Sequence, residues 1–87
     1  MFVILTYDVN TKRVSKVHKL LKKYLTWIQN SAYEGNITEA KFDEMIKILK
    51  RTINNDEDSV IIYKTTAKNF IFKEVKGIEK NKFSFIV

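Results

Sequence analysis

The first segment of the chain, residues 2–9 (FVILTYDV), is apolar or β-branched on both alternating sets of positions until Asp8. Such a segment is typical of a central β-strand that is covered on both faces. The sequence therefore predicts that a buried strand opens the chain and that Asp8 lies at its C-terminal end.

Beyond Asp8, apolar residues recur at intervals of three and four, which predicts an amphipathic helix. Asn10 and Thr11 offer turn or N-cap chemistry at its start. The apolar positions are Val14, Val17, Leu21, Tyr24 and Ile28, and the opposite face carries Lys12, Lys16, Lys19 and Lys23.

Residues 27–37 (WIQNSAYEGNI) are rich in β-forming residues, so we expect two short strands there, with a turn or bulge at Gly35 and Asn36. Thr38 is a candidate N-cap of a second helix, with Glu39 in its first turn. Its apolar stripe is Phe42, Met45, Ile46, Leu49 and Ile53. Residues 59–65 indicate another strand, residues 70–75 a weaker one and residues 83–87 a terminal one.

This order, βαββαβ with an additional C-terminal strand, predicts an α+β fold: a ferredoxin-like sandwich whose antiparallel sheet carries both helices on one face. The sequence has no repeat, low-complexity tract or linker, so residues 1–87 are expected to form one domain. A chain of 87 residues builds only a marginal hydrophobic core, so we expect the protein to form an oligomer.

The composition excludes several kinds of site. With no cysteine and one histidine, the chain has no disulfide, thiolate zinc site, cysteine nucleophile or paired-imidazole metal site. Its longest apolar runs are far shorter than the roughly 20 residues that cross a bilayer. Because Asp8 interrupts the first apolar run and no basic residue precedes it, we expect no signal peptide and a soluble, cytoplasmic protein.

The net charge of +6 is unevenly distributed along the chain. Residues 1–33 carry six basic residues and one acidic residue, and residues 12–23 hold all six of those cations. A clustered basic face is the electrostatic signature of phosphate binding, although a solvated helix face is the simpler alternative.

Asp8 has three possible roles, because a carboxylate that ends an apolar strand is solvated, caps the next helix or binds a cation. Mg²⁺ takes six oxygen ligands, so a single carboxylate forms a plausible site only when a second copy arrives by symmetry. His18 lies within the basic block and is expected to be a surface or edge histidine.

Five segments of the chain, taken in order, resemble the small CRISPR-associated protein family Cas2. They are Tyr7-Asp8-Val9; the basic helix with Arg13, Lys16-Val17, Lys19, Leu21 and Tyr24; residues 28–35 (IQNSAYEG); residues 58–63 (DSVIIY); and residues 85–87 (FIV). The resemblance therefore spans the whole length, at matching spacing.

This resemblance implies a homodimer in which the C-terminal strand of one chain extends the sheet of its partner. It implies that the two Asp8 carboxylates face each other and share a divalent cation, Mg²⁺ or another such as Mn²⁺. Family members are associated with metal-dependent endonuclease activity on RNA or DNA, so Asp8 would be both the catalytic residue and the metal ligand.

The resemblance also implies a role in CRISPR adaptation, in which the dimer binds protospacer DNA and bridges Cas1 integrase dimers. The nucleic-acid-binding residues would be Lys12, Arg13, Lys16, Lys19 and Lys23, and the supporting residues would be Tyr7, Ser31 and Tyr33. A purely structural DNA-bridging adaptor and a toxin-like ribonuclease on the same fold are the alternatives.

The sequence departs from the family pattern before the second strand. Where the family usually has Gly-x-Arg, this chain has Leu25-Thr26-Trp27, so neutralisation of phosphate near the metal would fall to Arg13 and Lys16.

Overall fold

The structure, a computed structural model, describes residues 1–65 and 71–78. Its elements are β1 (Phe2–Asp8), α1 (Thr11–Lys22), β2 (Thr26–Gln29), β3 (Ala32–Asn36), α2 (Glu39–Thr52), β4 (Ser59–Thr65) and β5 (Ile71–Gly77). The predicted terminal strand at residues 83–87 lies outside the described residues.

The five strands form one sheet in the order β2-β3-β1-β4-β5, and all neighbours are antiparallel. β1 lies in the middle, where Leu5 is paired with Tyr33 on one side and with Ile62 on the other. This arrangement confirms the predicted central strand and the ferredoxin-like α+β fold.

The two faces of the sheet differ because side chains alternate along each strand. Val3 and Leu5 of β1, with Val60 and Ile62 of β4, lie fully buried in one core with both helices. The helices contribute Val17, Leu20, Leu21, Phe42, Met45, Ile46 and Leu49 to that core. Both helices therefore cover the same face, as predicted.

The opposite face, which we call the helix-free face, carries the remaining alternate positions. In the described strands these include Phe2, Ile4, Thr6, Asp8, Thr26, Ala32, Glu34, Asn36, Ser59, Ile61, Tyr63, Thr65 and Val75. Its centre is apolar, and Asp8 lies at one end beside Ser59.

The first helix is shorter than its apolar period predicts. α1 ends at Lys22, with Lys23 as its C-cap, and Ile28 lies in β2. The prediction that the helix reaches Ile28 is wrong because residues 26–29 pair with β3, and strand pairing overrides the local helical period.

The structure defines the break between β2 and β3, which the sequence left open. The chain reverses at Asn30 and Ser31, whereas Gly35 and Asn36 lie within β3. Asn30 has a φ of 46°, and asparagine tolerates the left-handed conformation that two-residue hairpin loops require.

The predicted helix starts are confirmed. Asn10 caps α1, since its side chain accepts a hydrogen bond from the backbone nitrogen of Lys12 at 3.0 Å. Thr38 caps α2 in the same way through Lys41, and Glu39 lies in the first turn.

Asp58, which directly precedes β4, is fully buried and joins three segments. It accepts hydrogen bonds from the backbone nitrogens of Asn10 at 2.9 Å and Asn54 at 2.8 Å. Arg13 donates to both of its carboxylate oxygens, from Nε at 2.6 Å and from Nη2 at 3.0 Å. The start of α1, the end of α2 and the start of β4 are therefore fixed at one carboxylate.

The backbone of Asp58 also fixes the end of β5. Its carbonyl oxygen accepts a hydrogen bond from the backbone nitrogen of Ile78 at 2.9 Å. Gly77 passes so close to Asp58 that a side-chain Cβ there would overlap that carbonyl, and its φ of 92° independently favours glycine.

Stability at low pH is expected to depend on Asp58. The hydrogen bonds from Arg13 hold the pKa of Asp58 at about 2, below its ordinary 3.8. Because the folded state therefore binds this proton more weakly than the unfolded state, a contribution of about 2 kcal/mol is complete above about pH 4 and is lost as the pH falls toward 2.

We predict that Asp58→Asn lowers the free energy of unfolding at pH 7 by about 3 kcal/mol, since it leaves Arg13 without its buried partner. The control is Asp56→Asn, which removes an exposed carboxylate from the same loop. Urea denaturation at pH 7 and pH 3 measures both variants. An equal loss in the two variants, or an unchanged pH dependence in Asp58→Asn, would contradict this role.

Candidate functional site

Asp8 is the last residue of β1 and is exposed. Together with Val9, Asn10, Thr11, Glu57 and Asp58 it lines an open depression of about 340 Å³. The alternative that Asp8 caps α1 is wrong, because the N-cap is Asn10. Asp8 instead points to the helix-free face at the point where the chain crosses to the helix layer.

The other two carboxylates around the depression pair with Arg13. Asp58 is buried beneath it, and Glu57 forms an ion pair with Nη2 of the same guanidinium. Within residues 1–65 and 71–78, no group of three or more His, Asp or Glu side chains is placed to hold a metal ion. A cation at Asp8 would therefore need ligands from water, a phosphate or a second chain.

The basic face of α1 is the second feature of the site. Lys12, Lys16, Lys19 and Lys23 are all exposed, whereas Val17 and Leu21 on the other side of the helix are buried. No acidic residue occurs between Val9 and Tyr33 in the sequence. The structure thus confirms an amphipathic helix with a basic outer face, and this face is positively charged along its whole length.

Arg13, the fifth predicted cation, lies differently. Its side chain is only 16% exposed and is engaged by Asp58 and Glu57, which raise the pKa of Arg13 above its ordinary value. The two carboxylates neutralise the charge of its guanidinium group. Because Asp58 precedes β4, this pairing holds the start of α1 in place. Its contact with nucleic acid stays a prediction.

The predicted supporting residues Tyr7, Ser31 and Tyr33 lie together. The backbone nitrogen of Tyr7 donates to the carbonyl oxygen of Ser31 at 3.3 Å, and the rings of Tyr7 and Tyr33 stack with their centroids 5.9 Å apart. Tyr33 is fully buried, so its ring supports the ring of Tyr7, the neighbour of Asp8, from within the core.

His18 belongs to the same cluster, although the sequence indicated only a surface or edge position. It is half-buried, and its Nδ1 lies 2.6 Å from the hydroxyl of Tyr33. Burial, with a smaller effect of hydrogen bonding to Tyr7, raises the pKa of Tyr33, so this hydroxyl stays protonated at neutral pH. The sequence signal for this packing was its spacing, four residues after Val14 and three before Leu21, at the edge of the apolar stripe.

These features define a class: a small ferredoxin-like α+β protein with a basic helix and an exposed aspartate at the end of its central strand. The sequence profile of the family described as CRISPR associated protein Cas2 matches residues 1–71. The chain belongs to this family.

Named relatives are similar in sequence to this chain over nearly all of its length. The CRISPR-associated endoribonuclease Cas2 of Dictyoglomus turgidum is 49% identical over 82 residues, which cover 94% of each chain. The protein of the same name from Methanocaldococcus jannaschii is 44% identical over 87 residues, covering 100% of this chain and 76% of the relative.

Solved structures of Cas2 proteins are also similar to this chain. A crystal structure of Cas2 that is 46% identical covers 100% of this chain and 98% of its own, with a TM-score of 0.74. The Cas2 of Streptococcus pyogenes, crystallised at pH 6.5, is 37% identical and covers 79% of this chain and 89% of its own, with a TM-score of 0.70. Among the described residues, no helix has the length and apolar character needed to span a membrane.

We predict that Tyr33→Phe lowers the free energy of unfolding by about 1 kcal/mol, because it removes a hydrogen bond from the buried edge of His18. The matched control is Tyr24→Phe, whose hydroxyl donates to Glu44 at an exposed position where water replaces the bond. Urea denaturation of the two variants tests this difference. A larger loss in Tyr24→Phe would contradict a supporting role for the Tyr33 hydroxyl.

Proposed function

We propose that this protein acts in CRISPR adaptation as a homodimer that binds protospacer DNA, bridges Cas1 integrase dimers and carries a Mg²⁺-dependent endonuclease site at Asp8. The observation that carries the proposal is the exposed lysine row of α1 on a chain of the Cas2 family. The name endoribonuclease, given to the similar proteins, supports the nuclease part.

Binding of DNA by α1 follows from its charge. Four exposed lysines on one helix face neutralise backbone phosphates and release counterions, which gives affinity that is independent of sequence and sensitive to salt. Lysine ammonium groups on flexible stems suit this role, since they follow a phosphate backbone without needing a fixed geometry.

The helix-free face supports the homodimer. Phe2, Ile61 and Val75 on this face are only partly buried in the single chain, so a second sheet packed against them removes further apolar surface from water. In a two-fold dimer each residue near the axis meets its own copy. Packing through this face would bring the two Asp8 side chains, which lie at its end, toward each other.

The donor set fits a hard divalent cation. Asp8 offers exposed carboxylate oxygens on the rim of the open depression, and two copies would supply the two carboxylates that a Mg²⁺ site commonly has. When bound, Mg²⁺ would supply an activated water for phosphodiester hydrolysis and charge stabilisation. Lys12 and Lys16, near the start of α1, would hold the nucleic-acid backbone beside it.

We predict that reversing the charge of Lys12, Lys16 and Lys19 to Glu weakens binding to unrelated duplex DNA sequences equally. The salt dependence should also flatten, by about one unit of the log–log slope for each phosphate that is no longer neutralised. Fluorescence anisotropy with labelled duplexes at several salt concentrations measures both effects.

The matched control reverses three exposed cations of α2, namely Lys47, Lys50 and Arg51. This variant has the same net charge as the α1 variant, so general electrostatics changes equally. Equal weakening in both variants would show that net charge, rather than the α1 face, binds the DNA.

We predict that Asp8→Asn abolishes Mg²⁺-dependent cleavage while duplex binding persists, because the amide keeps the shape of the side chain but loses the anionic ligand. Cleavage of labelled single-stranded RNA and duplex DNA is compared for the wild type, Asp8→Asn and Asp56→Asn. The last variant removes an exposed carboxylate outside the depression and should cleave normally. Gel filtration checks beforehand that all three proteins are folded dimers.

The other outcomes assign other functions. DNA binding without cleavage by any of the three proteins would leave a structural adaptor that bridges DNA. Cleavage of RNA without binding to duplex DNA would indicate a toxin-like ribonuclease. A wild-type protein that stays monomeric would contradict the proposal that two chains share a cation at Asp8.

A further inference from the structure

Trp27, on edge strand β2, is the chain's only tryptophan and is 49% exposed. Its ring is nevertheless fixed in orientation. The indole Nε1 donates to the carbonyl oxygen of Asn30 at 2.9 Å, across the turn that ends β2. A large aromatic surface is thus held open to solvent by the hairpin itself.

His18 fixes the same ring from the side of α1. The two rings meet edge-on, with centroids 5.3 Å apart and an interplanar angle of 84°. His18 in turn is anchored on the buried hydroxyl of Tyr33. Since these contacts hold Trp27 before any ligand arrives, a ligand that stacks on it loses little conformational entropy of the protein.

The face of α1 that contacts Trp27 through His18 also carries a cation. Lys22 is exposed and follows His18 by four residues, so helical spacing places it on the same face of α1 as His18. It is not among the cations of the outer row. Lysine is depleted from protein interfaces, whereas an aromatic ring beside cations is the usual arrangement for an unpaired nucleotide.

Resting on the proposed binding of nucleic acid, we infer that Trp27 and Lys22 form a binding site for an unpaired nucleotide. The base stacks on the indole, and the ammonium group of Lys22 contacts the adjoining phosphate. Every base has a π face, so the site is tolerant of sequence. A base inside a duplex is already stacked on both sides, so the site selects single-stranded segments.

This site is separate from the one at Asp8. Trp27 is paired with Tyr33, whose side chain lies in the core beneath the helices, so Trp27 belongs to the helix side of the sheet. Asp8 lies on the helix-free face. A nucleotide that leaves a duplex held on the outer face of α1 reaches Trp27 without passing Asp8.

Fluorescence tests the site directly, because all tryptophan emission comes from Trp27. The wild-type protein is titrated with a short oligothymidylate and with an abasic oligomer of the same length. Stacking predicts that oligothymidylate quenches the emission and that the abasic oligomer, with the same phosphates and no bases, leaves it nearly unchanged.

Variants test the affinity by anisotropy of labelled oligomers. Trp27→Leu, which keeps an apolar side chain but no ring, should weaken binding of oligothymidylate about 10-fold, and Trp27→Phe should stay within about 3-fold of the wild type. Duplex binding should be unchanged in both. Circular dichroism checks that both variants are folded. If Trp27→Leu is not folded, the Trp27→Phe variant still allows the site to be tested.

Lys22→Gln should weaken binding of oligothymidylate and lower its log–log salt slope by about 0.7, the value for one phosphate of a single strand. The control is Lys50→Gln, an exposed lysine in the last turn of α2, as Lys22 is in the last turn of α1. It should bind as the wild type does.

Three results would overturn the inference. The first is equal quenching by the abasic oligomer, which would leave only a phosphate interaction. The second is bound oligothymidylate with unchanged emission. The third is an emission change that follows protein concentration alone, which would show that a second chain covers Trp27. Loss of duplex binding in the α2 control as much as in the α1 variant would instead count against the proposed function.

Discussion

The buried carboxylate of Asp58 is the contact on which the rest of this fold depends. Removing such a charge from water costs several kcal/mol, and only the donors from Arg13, Asn10 and Asn54 together offset that cost. These donors come from opposite ends of two helices, so the carboxylate is stable only when both helices are docked. The depression beside Asp8 is lined by this same junction, so its shape depends on the pairing of Asp58 with Arg13.

Much of the fold was predictable because each buried element has its own pattern of apolar residues. The continuous apolar run of β1 and the helical spacing of α2, with Thr38 as its cap, are local signals. The end of α1 was not predictable in this way: Ile28 continues the helical period, and only the partner strand β3 decides that it belongs to β2. Asp58 reads as an ordinary loop acid in the sequence, since its donors are 4, 45 and 48 positions away.

The candidate site was predictable to a similar degree. The exposure of Asp8 and of the lysine row follows from strand and helix periods that the sequence displays. The different position of Arg13 does not, because helical spacing places it near the basic face and only the buried Asp58 turns its guanidinium inward. His18 was missed as a packing residue for the same reason. Its partners, Tyr33 and Trp27, lie on β3 and β2. Spacing along the sequence does not show that these strands pack beside α1.

The two layers of the fold separate its charges. The lysine row lies on the outer side of α1, and Asp8 lies on the far face of the sheet, so the core between them isolates one from the other. Val9 and Asn10 carry the chain from β1 into α1 at the depression that Asp8 lines. A nucleic-acid backbone that lies along the outer face and also reaches Asp8 would pass this connection, beside Lys12 at the start of α1. Under the proposed function, we therefore expect binding along α1 and chemistry at Asp8 to be separable, so that loss of the chemistry leaves the binding intact.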